Sequence, residues 1–356
     1  MPFVQPEYLL FAAAFTAAAR LAPPVLWPWL RDAISVGFLL WWDPRALALF
    51  AGTALVAWLG ARFLSRGAGV LWGGIGIVFG AFVAVRIAQR HAGMGALMAP
   101  AGFGFLALRV VHWWVERAAD ALPKHSFRDF LAWILYFPTV LVGPVQRFDE
   151  WKRWERRRRW DEADAALGLR RVLYGYVKVV VLASWLVGAQ APRLLGWMPP
   201  SVAGVILGTA SLYWVFSGLS DLAIGLGRIA GQRVPENFDR PFLQPDLPSF
   251  WRGWHTSVSE WVRTYVYYPM LARTRAPQLS AVVAMGVFAT WHELSLAYVV
   301  WGGWHAVGLG LWYRIAPGGP KTRVGRLFSW IMTVAWVMFS FWILRVWPRG
   351  AEWYAR

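Results

Sequence analysis

The sequence predicts an all-α polytopic membrane protein, and three observations carry that prediction. Hydrophobic residues make up 58% of the 356 positions and charged residues only 15%, whereas a soluble domain carries about 25% charge. The apolar residues gather in runs of crossing or near-crossing length, enough for roughly ten spans at about 20 residues each. Lys and Arg concentrate in alternate connections, as they do in cytoplasmic loops.

Taken in order, the runs cover about 7–22, 25–42, 45–64, 69–88, 95–115, 127–146, 170–188, 201–227, 279–292, 294–314 and 326–347. No small-residue cleavage site precedes the first, so it is expected to stay as a helix. Pro100, Gly102 and Gly104 break the run after Gly95, and the run ending at His292 is short. Some segments are therefore expected to re-enter rather than span, giving about 9–11 transmembrane and re-entrant helices. The whole of 1–356 reads as one integral-membrane domain, with N-terminal helices (1–116), a core bearing the chemistry (117–347) and a C-terminal tail (348–356).

Loop charge sets the orientation. Lys152, Arg153, Arg156, Arg157, Arg158, Arg159 and Arg170 form the densest basic segment and place the 147–171 connection in the cytoplasm, while 189–200 holds only Arg193. Arg228 to Arg275 returns the chain inside, as does the segment with Arg314, Lys321, Arg323 and Arg326. The net charge of +17 is thus a loop property directed at anionic membrane lipid, and no nucleic-acid partner is expected. The chain has no Cys, which excludes disulfides, a thiolate nucleophile and cysteine-ligated metal. Interfacial aromatic belts account for part of the 27 Trp.

Polar chemistry is sparse. Residues 228–275 interleave Trp251, Trp254, Trp261, Tyr265, Tyr267 and Tyr268 with Arg252, Arg263 and His255, a pattern suited to a membrane interface or to a re-entrant segment beside a cavity. An amphipathic interfacial helix without a catalytic role fits equally. Ser217 and Asp221 share a helical face, and Arg109, His112 and Glu116 form a stripe that serves either interhelical hydrogen bonding or chemistry. The six histidines are His91, His112, His125, His255, His292 and His305. His292 ends its run, and His305 sits mid-run beside Trp301 and Trp304. A buried neutral imidazole is suited to take a proton from a hydroxyl near neutral pH, and it is equally a hydrogen-bond partner between helices. Glu293 points to a different helix face from His292 and no HExxH pair occurs, so no metal is expected. GxSxG, Walker A and GxGxxG patterns are also absent.

The segments FSGLSDLAIGLGRIAGQRVPENFDRPFL, SFWRGWHTSVSEWVRTYVYYPM and TWHELSLAYVVWGGWHAVG closely resemble the membrane-bound O-acyltransferases, nearest the alginate O-acetyltransferase branch, with the D-alanyl-lipoteichoic acid transferase beside it. FPTVLVGPVQRFDEW and LWWDPRALALF resemble two upstream segments of the same family, and the resemblance runs from about residue 37 to Trp353. It implies a tunnel enclosed by the helices and acyl transfer to a hydroxyl, with His292 as the catalytic base. His255, flanked by Trp254 and Ser257, takes a structural or substrate-lining role, and His305 lines the tunnel. Asp221, Asn237, Arg263 and Arg147 match supporting positions. Glu293 stands where the family often has Gly, adding a carboxylate beside the base, and Thr264 where it commonly has Asp.

The implied donor is a cytoplasmic thioester, acetyl-CoA or another acyl thioester, with no tightly bound cofactor. The implied acceptor is a hydroxyl of an extracytoplasmic polysaccharide or of a periplasmic acetyltransferase partner protein, reached from the bacterial inner membrane. The basic loops offer coenzyme A phosphates an approach, although the positive-inside pattern alone accounts for Arg156–Arg159. D-Alanyl transfer to teichoic acid is the alternative within the family. A transporter, or an inactive scaffold for a periplasmic enzyme, is the alternative of another class.

Overall fold

The computed structural model describes residues 2–62, 73, 75–76, 79–82, 99–315, 319–320 and 322–346. Most of the expected run 69–88, His91 and the tail 348–356 lie outside the described residues. Within them the regular structure is helical apart from one isolated antiparallel bridge, Phe238 to Trp254. The chain forms two compact units, one from residues 1–176 and 218–235, the other from 177–217 and 236–356.

The first unit contains α1 (Pro6–Leu21), α2 (Trp27–Trp42), α3 (Pro44–Gly60), α4 (Ala99–Ala118), α5 (Phe127–Ile134) and α6 (Phe148–Arg157). Proline in the first turn starts α1, α2 and α3 without forfeiting a helical bond, and Asp43 caps α3 by accepting from the Arg45 amide at 2.9 Å. At 1.5 Å per residue the 16-residue α1 and α2 rise about 24 Å, less than the roughly 30 Å hydrocarbon core. The helix α7 (Glu162–Tyr176) runs on as a π-helical stretch (Val177–Gln190) and a last turn (Ala191–Leu194), and α8 covers Pro200–Ile229. These two, at 33 and 30 residues, and the 23-residue Arg323–Arg345 are the described helices long and apolar enough to cross a membrane.

The run 127–146 is not a continuous span. Its helix, α5, has eight residues, held at its start by a capping box between Ser126 and Asp129. A 3-10 turn at Phe137–Thr139 and irregular chain follow, because Pro138 and Pro144 each remove a helical donor. Backbone carbonyls freed inside an apolar protein need donors, and Arg109 of the α4 stripe serves two of them. Arg109, fully buried, donates to the carbonyls of Ile134 (3.3 Å) and Thr139 (2.7 Å). His112 Nε2 accepts the Phe148 amide at 3.0 Å, and Glu116 pairs with Arg147 at 3.1 Å. The stripe is the internal support of an irregular segment.

Small residues bring α7 and α8 together. A methyl group placed on Gly168 would lie 2.7 Å from the Gly225 carbonyl oxygen, one on Gly225 2.6 Å from that of Gly168, and one on Gly175 2.7 Å from that of Gly218. Backbones this close are the hallmark of small-residue helix packing. Between the two glycine contacts, Arg171 Nε donates to Asp221 at 2.6 Å, with Asp221 buried.

The second unit adds α9 (Leu247–Gly253), α10 (Thr256–Val262), a π-helical stretch (Arg263–Tyr267), α11 (Tyr268–Thr274), α12 (Pro277–His292), α13 (Leu296–Ile315) and α14 (Arg323–Val346). The aromatic-rich segment is therefore a chain of short helices. Asp246 caps α9 by accepting from the Ser249 amide at 2.7 Å. Gly302 lets α13 close on α12, where a methyl would meet the Met285 carbonyl at 3.0 Å. On the other side Trp304 stacks on Trp336 of α14 with ring centres 3.8 Å apart.

Candidate functional site

The second unit brings three of the histidines together. The α12 helix stops at His292 because Glu293 is extended (φ −160°, ψ 141°), which leaves His292 half-buried on the last turn. Its Nδ1 lies 2.8 Å from the Phe288 carbonyl one turn back. In a neutral imidazole that carbonyl requires the proton on Nδ1 and leaves the lone pair on Nε2. Phe288 (4.7 Å), Tyr298 (5.8 Å, stacked) and Trp301 (5.8 Å) surround the ring.

His255 sits 6.3 Å from His292, ring to ring, at nearly a right angle. It is fully buried and occupies the left-handed region (φ 48°, ψ 48°) as the residue that opens α10. That conformation is costly for a residue with a side chain, and Asn237 over-determines it. The buried Asn237 Oδ1 lies 3.0 Å from His255 Nδ1 and accepts from Ser257 Oγ at 2.8 Å, while its carbonyl accepts the Thr256 amide at 3.0 Å. Gly253 permits the approach, since a methyl there would stand 2.6 Å from the Asp239 carbonyl oxygen. Trp254 closes the knot against Phe238 and Phe250. Asn237→Ala removes the acceptor that His255 Nδ1 and Ser257 Oγ share, and losing a buried partner costs about 1–3 kcal/mol. Thermal unfolding in detergent should register that loss as a clear drop in midpoint relative to wild type.

His305 stands one turn from Trp301 on α13, buried, its ring 4.8 Å from Trp301 and 4.9 Å from Trp251. His305 Nδ1 and the indole nitrogens of Trp251 and Trp301 are buried without a hydrogen-bond partner among the described residues. Such groups carry a desolvation cost that native structures usually meet with a partner. Phe288, Trp251, Trp301 and Tyr298 were not singled out for the site by the sequence reading. A usable signal was there, because Phe288 is four residues before His292 and Trp301 four before His305, each pair sharing a helix face.

Other expected site residues fall elsewhere. Arg263 pairs with Glu260 on the π-helical stretch, which packs on α12. Glu293 is the half-buried cap of α12. Arg147 and Asp221 belong to the first unit, Arg147 with Glu116 and Asp149 (3.3 Å) and Asp221 with Arg171. No group of three or more His, Asp and Glu among the described residues is placed to hold a metal ion. Chemically, the cluster offers one oriented base, a second histidine locked by an amide, and indole N–H groups lacking acceptors.

Known proteins give this cluster a context. The chain is 29% identical over 337 residues to a probable alginate O-acetylase of Pseudomonas aeruginosa, covering 85% of this chain and 64% of that protein. It is 27% identical to the teichoic acid D-alanyltransferase of Bacillus subtilis (72% of this chain, 71% of the relative) and 25% identical to the peptidoglycan O-acetyltransferase of Helicobacter pylori (60% and 44%). The chain thus spans less than two thirds of the alginate relative's length. The model of the membrane-bound O-acyltransferase family matches residues 106–313, a stretch that contains His255, His292, His305 and Asn237. The chain belongs to the membrane-bound O-acyltransferase family.

Proposed function

We propose that this protein transfers a short acyl group, acetyl in the first instance, from a cytoplasmic thioester to a hydroxyl on the far side of a bacterial inner membrane. The observation that carries the proposal is the Nδ1 contact of His292 with its own helix carbonyl, which directs the basic lone pair of Nε2 away from α12. Nε2 removes the acceptor's hydroxyl proton as the oxygen attacks the thioester carbonyl carbon. The tetrahedral intermediate expels the thiolate, which recovers the proton from the imidazolium, so an ester and a free thiol leave. Buried indole N–H groups without acceptors, Trp301 nearest the His292 ring, suit the oxyanion that forms between these steps. The thioester is already activated, and the chemistry of the step asks for no tightly bound cofactor.

The acceptor we favour is a glycan. The relatives are named for alginate, teichoic acid and peptidoglycan, three polymers rich in hydroxyls, and a periplasmic acetyltransferase that relays the group is the second acceptor class. Mass spectrometry of extracytoplasmic glycans from cells with and without the protein tests the reading. O-Acetyl esters should vanish with the protein and return on complementation. Envelope ester content unchanged by deletion, together with no transfer from labelled acetyl or D-alanyl thioesters in proteoliposomes, would overturn it.

A further inference from the structure

A second site lies in the same unit, where α13 ends and α14 begins. A cavity of about 380 Å³ lies there, walled by Leu247, Leu311, Ile315, Phe328, Met332 and Trp336. No charged side chain lines it. Apart from the tryptophans, its polar side chains are Ser329, whose hydroxyl is given to the Pro245 carbonyl at 2.6 Å, and Thr333. Its outer edge is open and apolar, with Ile315, Val324 and Phe328 each more than half exposed, as a wall facing hydrocarbon would be.

The helix ends that supply this wall have the opposite character. Arg314 closes the last turn of α13, and Arg323 and Arg326 stand in the first turns of α14. All three are exposed, and none forms an ion pair with a described residue. Two cations at the start of a 24-residue helix with no acid in its first turn oppose the positive end of the helix dipole. An anion placed there would relieve both the charge clustering and the unmet helical donors.

We propose that this groove binds an anionic phospholipid, with one acyl chain in the cavity and the phosphate against Arg314, Arg323 and Arg326. The lining decides between hydrocarbon and the other long ligand this protein would meet. A pantetheine arm carries two amides that need partners when desolvated, and this wall offers them little. An acyl chain needs none. The site also touches the candidate active site through the chain, because Leu247 is the first residue of α9, the helix that carries Trp251.

Native mass spectrometry of the full chain, titrated with phosphatidylglycerol and with phosphatidylcholine, tests the assignment. Wild type should retain phosphatidylglycerol preferentially. At about fivefold per Arg near a phosphate, replacing all three by Gln should weaken phosphatidylglycerol binding on the order of a hundredfold and remove its preference over phosphatidylcholine. Met332→Trp, which fills the cavity, should displace both lipids while the melting temperature holds, and it decides the matter if the triple variant does not fold. Phosphatidylglycerol binding that survives Met332→Trp would overturn the proposal. So would release of the lipid by acetyl coenzyme A, which would make the groove a donor site. Neither readout depends on acyl transfer, so the lipid site stands or falls apart from the proposed reaction.

Discussion

Acyl transfer by the His292→Ala protein is expected to fall by about 10²- to 10⁴-fold, the range general-base catalysis supplies. The loss should appear in kcat with KM nearly unchanged, because proton removal is an interaction of the transition state alone. The fold should tolerate the change. The hydrogen bond recorded for the imidazole in its own helix is with the Phe288 carbonyl at 2.8 Å, and a bond of that kind contributes about 1 kcal/mol net. This separates His292 from its neighbour His255, which is fully buried, holds a left-handed backbone and shares Asn237 with Ser257. His255→Ala should cost stability as well as activity. Turnover measured in proteoliposomes at matched protein level, beside the melting temperature, distinguishes the two. A His292→Ala protein that transfers acyl groups at the wild-type rate would remove this residue from the chemistry.

The largest effect on stability is expected at the α7–α8 contact. A single methyl on Gly225 would meet the Gly168 carbonyl oxygen at 2.6 Å and the Val172 amide nitrogen at 2.9 Å. Neither atom can swing aside, since both are backbone, so Gly225→Ala must separate the helices. Overpacking of this kind costs about 1–3 kcal/mol and more for a branched side chain. Separation would also lengthen the 2.6 Å Arg171–Asp221 contact and leave a buried carboxylate short of its partner, an expensive state. Gly225→Val is therefore expected to abolish accumulation of folded protein. Gly208→Ala on the same helix is the control, because a methyl there meets nothing within 4 Å and replaces a poor helix former by a good one, worth about 0.5–1 kcal/mol. Equal melting temperatures for Gly225→Ala and Gly208→Ala would show that the close approach carries no weight.

Much of this architecture is legible from hydropathy. The runs at 7–22, 25–42 and 45–64 become α1 to α3, 201–227 lies within α8, and 279–292, 294–314 and 326–347 correspond to α12, α13 and α14. The run at 127–146 misleads because an average over apolar residues is blind to Pro138 and Pro144, and because the compensating donor, Arg109, is 25 residues before the first carbonyl it serves. The stripe of Arg109, His112 and Glu116 left structure and chemistry open, and its hydrogen bonds with Ile134, Thr139, Phe148 and Arg147 tie it to the irregular segment and the start of α6. His292 stands out on chemistry and on resemblance. What no one-dimensional pattern conveys is that Asn237, eighteen residues earlier, holds His255 in a left-handed turn. Tryptophan is the other case. Belts at the interface explain some of the 27, but Trp27, Trp113, Trp133 and Trp151 are fully buried, where indoles fill space between helices.

The broken run at 127–146 also changes parity. Eight helical residues rise only about 12 Å, and the chain that follows returns to where it began. Arg156 donates to the Lys124 carbonyl at 3.0 Å, and Lys152 pairs with Asp129 at 2.5 Å, so the turn before α5 and the helix after it are neighbours. A count that scores this stretch as one crossing puts residues 119–126 and 147–160 on opposite faces of the bilayer. Their contact puts them on the same face. The charge of the arginine-rich 147–171 connection predicts a cytoplasmic face for it, and the same face is then expected for Arg117, Lys124 and Arg128.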